Sequence, residues 1–140
     1  MSKSVAISGH CLCGRVSLRA GKLSTELEAC HCGMCRRWGS GPLLALHGSD
    51  VALQPEEDVA VYHSSAWAER GFCRCCGSHL FYRLKDRSAW YLPVGLFDDL
   101  ADVHLTNQIF IDKKPCYYTF AEQTRNMTEA EVMALFASQG

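Results

Sequence analysis

Apolar and polar residues alternate with a period of two along much of the chain, the pattern of strands that bury one face. Residues 5–10 and 15–19 alternate on either side of a turn at Cys11 and Cys13, which predicts a hairpin. Residues 26–32 predict a third strand. Residues 43–47, 51–53 and 59–63 follow, separated by the turn-forming Gly48-Ser49-Asp50 and Pro55-Glu56-Glu57-Asp58. Residues 69–73 and 79–83 bracket another turn, and residues 90–95 and 104–111 complete the β set. Two places depart from the alternation. Residues 35–38 predict a short helical turn that Gly39-Ser40-Gly41 ends. Near the end, Thr128 followed three positions on by Glu131 forms a capping box, with Val132, Leu135 and Phe136 on one face. That pattern predicts a helix over about 128–138, packed on the domain or on a partner subunit, so a homodimer is one expectation. The chain carries no repeat, low-complexity run or charged block, and one domain is expected over 1–140.

Composition narrows the function. With 48% apolar and 21% charged residues, 140 residues make an ordinary globular chain that can fold without disulfides. Fourteen basic against fifteen acidic residues give a net charge of −1, which argues against a nucleic acid or a membrane surface as partner. No run of 18 apolar residues occurs, so no membrane span is expected. Cysteine is the departure, with nine residues. A disulfide framework would need an oxidising compartment and would strand one thiol of an odd total. The first ten residues hold no apolar run of the length a secretory signal needs. The expected location is therefore the cytoplasm, where such clusters bind metal.

The spacings agree. Cys11 and Cys13 form a C-x-C pair, Cys30, Cys32 and Cys35 form C-x-C-x-x-C, and Cys73 and Cys76 form C-x-x-C followed by Gly77. Residues two apart on a strand share a face, and a C-x-x-C on a tight turn converges by another route. Cys11, Cys13, Cys73 and Cys76 would make a closed four-thiolate site, leaving Cys30, Cys32 and Cys35 as three ligands around an open position. Other partitions, with His31 or Cys75 as a further ligand, satisfy the count equally.

The segments Gly9-His10-Cys11-Leu12-Cys13-Gly14-Arg15-Val16, Cys30-His31-Cys32-Gly33-Met34-Cys35-Arg36-Arg37-Trp38-Gly39-Ser40 and Gly71-Phe72-Cys73-Arg74-Cys75-Cys76-Gly77-Ser78-His79-Leu80-Phe81-Tyr82 are distinctive. They resemble the glutathione-dependent formaldehyde-activating enzyme family, whose domain also occurs in centromere protein V. The resemblance spans about residues 5–117. It implies a mainly β fold, a β-tent of small antiparallel sheets built around a structural zinc. It further implies that Cys11, Cys13, Cys73 and Cys76 hold that zinc and that Cys30, Cys32 and Cys35 hold a second, open one. Two zinc ions per chain are expected, the second lost more readily. The implied reaction is a carbon–sulfur lyase step on S-hydroxymethylglutathione or its reverse, so the expected partner is a small thiol or thiol adduct, glutathione first among them.

Three thiolates leave a zinc unit at −1, a weak Lewis acid suited to holding a further soft thiolate. Arg36 and Arg37 are candidates to offset that charge or clamp a glutathione carboxylate, against the plainer reading of a solvated pair. Ser40 and Ser78 are candidate substrate donors. Cys75 is expected to face away from metal. Cys116, where similar proteins usually carry tryptophan, is expected simply to pack. His31, alternating with Cys30 and Cys32, is expected on the opposite face, as a second-layer group or base at most. The other histidines read as packing or surface residues. Trp38, Trp67, Phe72, Phe81, Tyr82, Trp90 and Tyr91 read as core or pocket wall, and Asp98 and Asp99 as turn residues. The alternative function is a zinc-stabilised binding module without catalysis; a redox role for Cys75 and Cys76 is weaker, because vicinal cysteines form strained bridges.

Overall fold

The computed structural model describes residues 4–139. The chain divides into two compact units, one made of residues up to 25 with 45–103 and the other of residues 26–44 with 104 onward. The ends of the expected 1–140 domain, residues 1–3 and 140, lie outside the described residues.

In the first unit β1 (Ser4–His10) pairs antiparallel with the start of β2 (Ser17–Cys30), with His10 opposite Ser17 and Ile7 opposite Ala20. Along β2, Ser17 and Arg19 are exposed while Leu18 and Ala20 are buried, so the period-two pattern does set this face. The remaining strands are β3 (Leu43–Gln54), β4 (Val59–Tyr62), β5 (Ala68–Cys73), β6 (His79–Leu84) and β7 (Trp90–Pro93). They run in the order β4-β5-β6-β7-β3-β2. Val16, Leu18, Leu23, Leu46, Leu80, Phe81 and Leu92 are fully buried and form the core of this unit. On β5 and β6 the alternation gives way to a buried ion pair. Glu69 and Arg83 face each other across the strands at 2.5 Å, and the Arg83 guanidinium lies 4.4 Å from the Phe81 ring and 4.7 Å from the Trp90 ring. Charges so buried are tolerated because each has a partner.

Two predicted breaks are corrected. The separate strands at 15–19 and 26–32 are one strand, β2, ending at Cys30, and 43–47 and 51–53 are both parts of β3. Gly48 is not a turn residue: a Cβ there would sit 3.1 Å from Leu92 Cδ1 and 3.4 Å from Leu23 Cδ1, so the glycine permits close packing inside a strand.

In the second unit the end of β2 pairs parallel with β8 (His104–Ile109), Cys30 opposite Ile109, and β8 pairs parallel with β9 (Arg125–Met127), Ile109 opposite Met127. These pairings differ from the antiparallel sheets expected. Parallel neighbours need long crossover connections, and here residues 110–124 supply one of them. The Arg125-Asn126-Met127 strand has no apolar alternation and was not foreseen. Two helices belong to this unit, α1 (Gly33–Gly39) and α2 (Glu129–Gln139). The capping box forms as expected: the Thr128 N–H donates to Glu131 Oε1 at 2.8 Å and the Glu131 N–H to Thr128 Oγ1 at 3.2 Å. The Glu129 N–H also donates to Asp112 Oδ1, at 2.9 Å. The apolar face is narrower than expected. Val132 is buried, but Leu135 and Phe136 remain 48% and 42% exposed. The helix is tied down at its first turn, and the stripe beyond it projects outward. No helix among the described residues is long and apolar enough to cross a membrane.

Gly71 stands opposite Phe81 in the β5–β6 register, and a Cβ at that position would collide with the Phe81 ring. Gly71→Ala is expected to lower the unfolding free energy by about 1–3 kcal/mol, read from urea titration. An unchanged midpoint would mean that the Phe81 ring has room to move.

Candidate metal centres

Four sulfurs come together from two hairpin turns. Cys11 and Cys13 lie between β1 and β2, Cys73 ends β5, and Cys76 lies in the turn to β6. Their Sγ atoms all fall within 4.8 Å of one another, with Cys11–Cys13 at 3.6 Å and Cys13–Cys73 at 3.9 Å. A disulfide would require about 2.05 Å, and all four are free thiols. Four sulfurs each about 2.3 Å from one tetrahedral cation lie about 3.8 Å apart. The donor set and its spacing fit a metal ion.

Each turn is built to aim its sulfurs. Gly14 and Gly77 have φ of +79° and +78°, a region open to glycine, and their N–H groups donate to Cys11 O at 3.1 Å and Cys73 O at 2.9 Å. The Val16 N–H donates to Cys11 Sγ at 3.3 Å, a contact that favours its thiolate, and the Cys76 N–H donates to Cys73 Sγ at 3.5 Å. Ser78 ties one turn to the other. Its Oγ accepts from the Leu12 N–H at 3.0 Å and lies 3.2 Å from Cys76 Sγ. The candidate substrate donor is thus committed to holding the cluster. Hydrogen bonds from Ser78, side chain first, pull Cys76 down to about 5. At Cys13 the Arg15 backbone favours the thiolate, but burial and the neighbouring thiols outweigh it and push the group up to about 12. A cation would replace the protons that such a crowded set must otherwise share. Cys75 lies outside the four and is exposed, as expected.

The second cluster is local. Cys30 is the last residue of β2, Cys32 is the N-cap of α1, and Cys35 lies buried in its first turn. The three Sγ atoms fall within 4.8 Å of one another. The Cys35 N–H donates to Cys32 Sγ at 3.3 Å, and the Arg36 N–H donates to Cys32 O at 3.0 Å. Hydrogen bonds shared with Cys32 and Cys35, together with burial, push the Cys30 thiol well up. No nitrogen or carboxylate joins these sulfurs among the described residues, so the trio could hold a metal with a position to spare.

His31 does not join them. It is fully buried, with Nε2 2.7 Å from Gln108 Oε1 and Nδ1 2.8 Å from the Tyr118 hydroxyl. Burial lowers its basicity, with Lys114 and Arg36 adding to the effect and the Gln108 bond opposing it. Gln108 Nε2 in turn donates to Thr124 Oγ1 at 2.9 Å. Nothing in the sequence marked Gln108 or Tyr118; these partners lie 77 and 87 positions from His31. Of the candidate binding residues, Arg36 is half-buried and donates from Nε to the His31 carbonyl at 3.1 Å. Arg37 is exposed on α1, and Ser40 is its exposed C-cap, with φ of 72° and its N–H on Arg36 O at 2.7 Å. Two cations in the last turn offset the negative end of the helix. Cys116 is exposed, which corrects the expectation that it packs.

The family model for the glutathione-dependent formaldehyde-activating enzyme matches residues 6–113. An uncharacterized lyase of Schizosaccharomyces pombe is 35% identical over 127 residues, which cover 89% of this chain and 93% of that protein. A Rhodobacter sphaeroides protein of known crystal structure is similar in fold, with a TM-score of 0.58 at 24% identity, covering 68% of this chain and 91% of its own.

Removing the Ser78 hydroxyl leaves the Leu12 N–H and Cys76 without their shared partner. Ser78→Ala is expected to cost about 1 kcal/mol in thermal or urea unfolding and to raise the pH at which the Cys76 thiolate forms in metal-free protein. A wild-type titration of that thiol by absorbance would show the latch to be without effect.

Proposed function

Because the chain belongs to the glutathione-dependent formaldehyde-activating enzyme family, we propose that it is a zinc-dependent carbon–sulfur lyase, or condensing enzyme, acting on a thiol–aldehyde adduct such as S-hydroxymethylglutathione. The family match and a relative named as a lyase support lyase chemistry in general. The observation that carries the finer reading is the convergence of Cys30, Cys32 and Cys35 with no further protein ligand among the described residues.

In this reading Cys11, Cys13, Cys73 and Cys76 hold one zinc as part of the fold, and Cys30, Cys32 and Cys35 hold another. With three thiolate ligands, zinc supplies a soft position that takes a further thiolate and lowers its proton affinity. The protein's own groups do the rest. The end of β2 carries Cys30 and the first turn of α1 carries Cys32 and Cys35, a convergence that would orient an incoming thiol. Arg36, braced through Nε on the His31 carbonyl, and Arg37 beside it offer guanidinium groups to the carboxylates of a glutathione-like thiol. The reaction is balanced without any oxidant. The thiol sulfur bonds to the aldehyde carbon, the carbonyl π pair moves to oxygen, and that oxygen takes up the proton the thiol gives up. The reverse step breaks the same carbon–sulfur bond. Two sets of free thiols fit a reducing compartment, and we place the protein in the cytoplasm.

Zinc analysis of the purified protein together with NMR exchange spectroscopy on glutathione and formaldehyde tests this. Two zinc ions per chain and faster adduct exchange than in buffer are expected. One zinc and no acceleration would instead indicate a zinc-stabilised binding module. Cys35→Ser should remain folded with one zinc and lose the acceleration. Cys76→Ser should fail to fold or aggregate, since a structural zinc site contributes on the order of 10 kcal/mol to folding. Equal damage from the two substitutions would show that the sites are not divided in this way.

A further inference from the structure

The buried chain that begins at His31 has a direction. Thr124 Oγ1 lies 2.6 Å from Asn126 Oδ1 and gives it the hydroxyl proton, which leaves its lone pairs to accept from Gln108 Nε2 at 2.9 Å. Gln108 is thereby oriented with Oε1 toward His31 Nε2 at 2.7 Å, and Nε2 must carry the ring proton. The remaining nitrogen, Nδ1, is a bare acceptor 2.8 Å from the Tyr118 oxygen, so the one phenol proton points at His31. What Tyr118 turns outward is oxygen lone pairs alone.

The residue that carries this oxygen is held from several sides. His31 stacks on the Tyr118 ring at 5.5 Å and 28°, and Lys114 Nζ lies 5.1 Å from the ring centroid. Lys114 also donates to the Tyr118 carbonyl and to Pro115 O, the latter at 2.9 Å. Tyr118 is only partly buried, and its partner His31 lies between Cys30 and Cys32 and accepts from Arg36 through its carbonyl at 3.1 Å. Bonded to the residue that separates Cys30 from Cys32, Tyr118 is partly open and able only to accept.

We propose that Tyr118 is a specificity-determining residue of the three-cysteine site, whose phenol oxygen, aimed by His31 through the Gln108–Thr124–Asn126 chain, accepts a hydrogen bond from the hydroxyl of a hemithioacetal substrate. This rests on the functional reading above and sharpens it. An oxygen that can only accept favours a substrate bearing –S–CH(R)–OH and gives nothing to a thioester carbonyl or a free aldehyde, which offer no proton. The free thiol owes its affinity to the sulfur site and the arginines, and so should not sense Tyr118.

The test uses the metal-loaded full chain and measures zinc content, glutathione binding by calorimetry, and formaldehyde-dependent adduct exchange by NMR. Tyr118→Phe is expected to keep zinc and the glutathione Kd unchanged while slowing adduct exchange about tenfold, the loss of one hydrogen bond. His31→Asn, whose amide oxygen can stand near the position of Nδ1, should recover part of the rate that His31→Ala loses at equal zinc content. In wild-type protein carrying labelled tyrosine, the Tyr118 Cζ resonance should move with S-hydroxymethylglutathione and stay in place with S-methylglutathione. Glutathione binding with full exchange in Tyr118→Phe, or a resonance that moves equally with both ligands, overturns this proposal and leaves the functional reading standing. Failure of wild-type protein to bind glutathione overturns both.

Discussion

Four cysteine sulfurs crowded within 4.8 Å impose the constraint on which the first unit depends. Thiolates repel one another, and thiols at that distance compete for protons, so the cluster is satisfied only by a shared cation or by an uneven division of protons. The opposite displacements of Cys76 and Cys13 express that division. The sulfurs also come from far apart in the chain, with Cys13 and Cys73 separated by 60 positions. A cross-link closing a loop of that length removes about 4 kcal/mol of entropy from the unfolded chain. A cation shared by the four sulfurs would hold the β1–β2 and β5–β6 turns together.

The three-cysteine cluster obeys a different logic. Cys30, Cys32 and Cys35 lie within one strand end and one helical turn, so a cation bound there closes no long loop and adds little to folding. Its geometry comes instead from backbone hydrogen bonds around the start of α1 and from the parallel register that sets Cys30 opposite Ile109. A site that the fold supports but does not need is free to leave a ligand position empty. The same freedom would make a metal held there easier to lose.

Much of this was legible because cysteine spacing is a local signal. A C-x-C or C-x-x-C written in sequence aims its sulfurs together whatever surrounds it, and the period-two burial along β2 could be read residue by residue. What escaped was tertiary. Gly48 looks like a turn until Leu92 and Leu23 are seen to crowd it. Arg125–Met127 pairs through its backbone, which side-chain pattern does not reveal. The helical stripe of Val132, Leu135 and Phe136 says which residues share a face but not how far along the helix a neighbour reaches. The acceptor chain through His31 joins residues whose types are common and whose spacing is arbitrary. Only packing brings them together.

That chain also accounts for a histidine between two cysteine ligands. Alternation turns the His31 ring away from the sulfurs, and a polar ring forced inward must find a partner for each nitrogen or lose about 1–3 kcal/mol. Gln108 and Tyr118 are those partners, and Arg36 closes the arrangement by bonding the His31 carbonyl from the helix that carries Cys35. The ring therefore links β8 to the segment after Pro115, and the His31 carbonyl links the same residue to α1. Moving any one of the three would break a hydrogen bond that is at least partly buried.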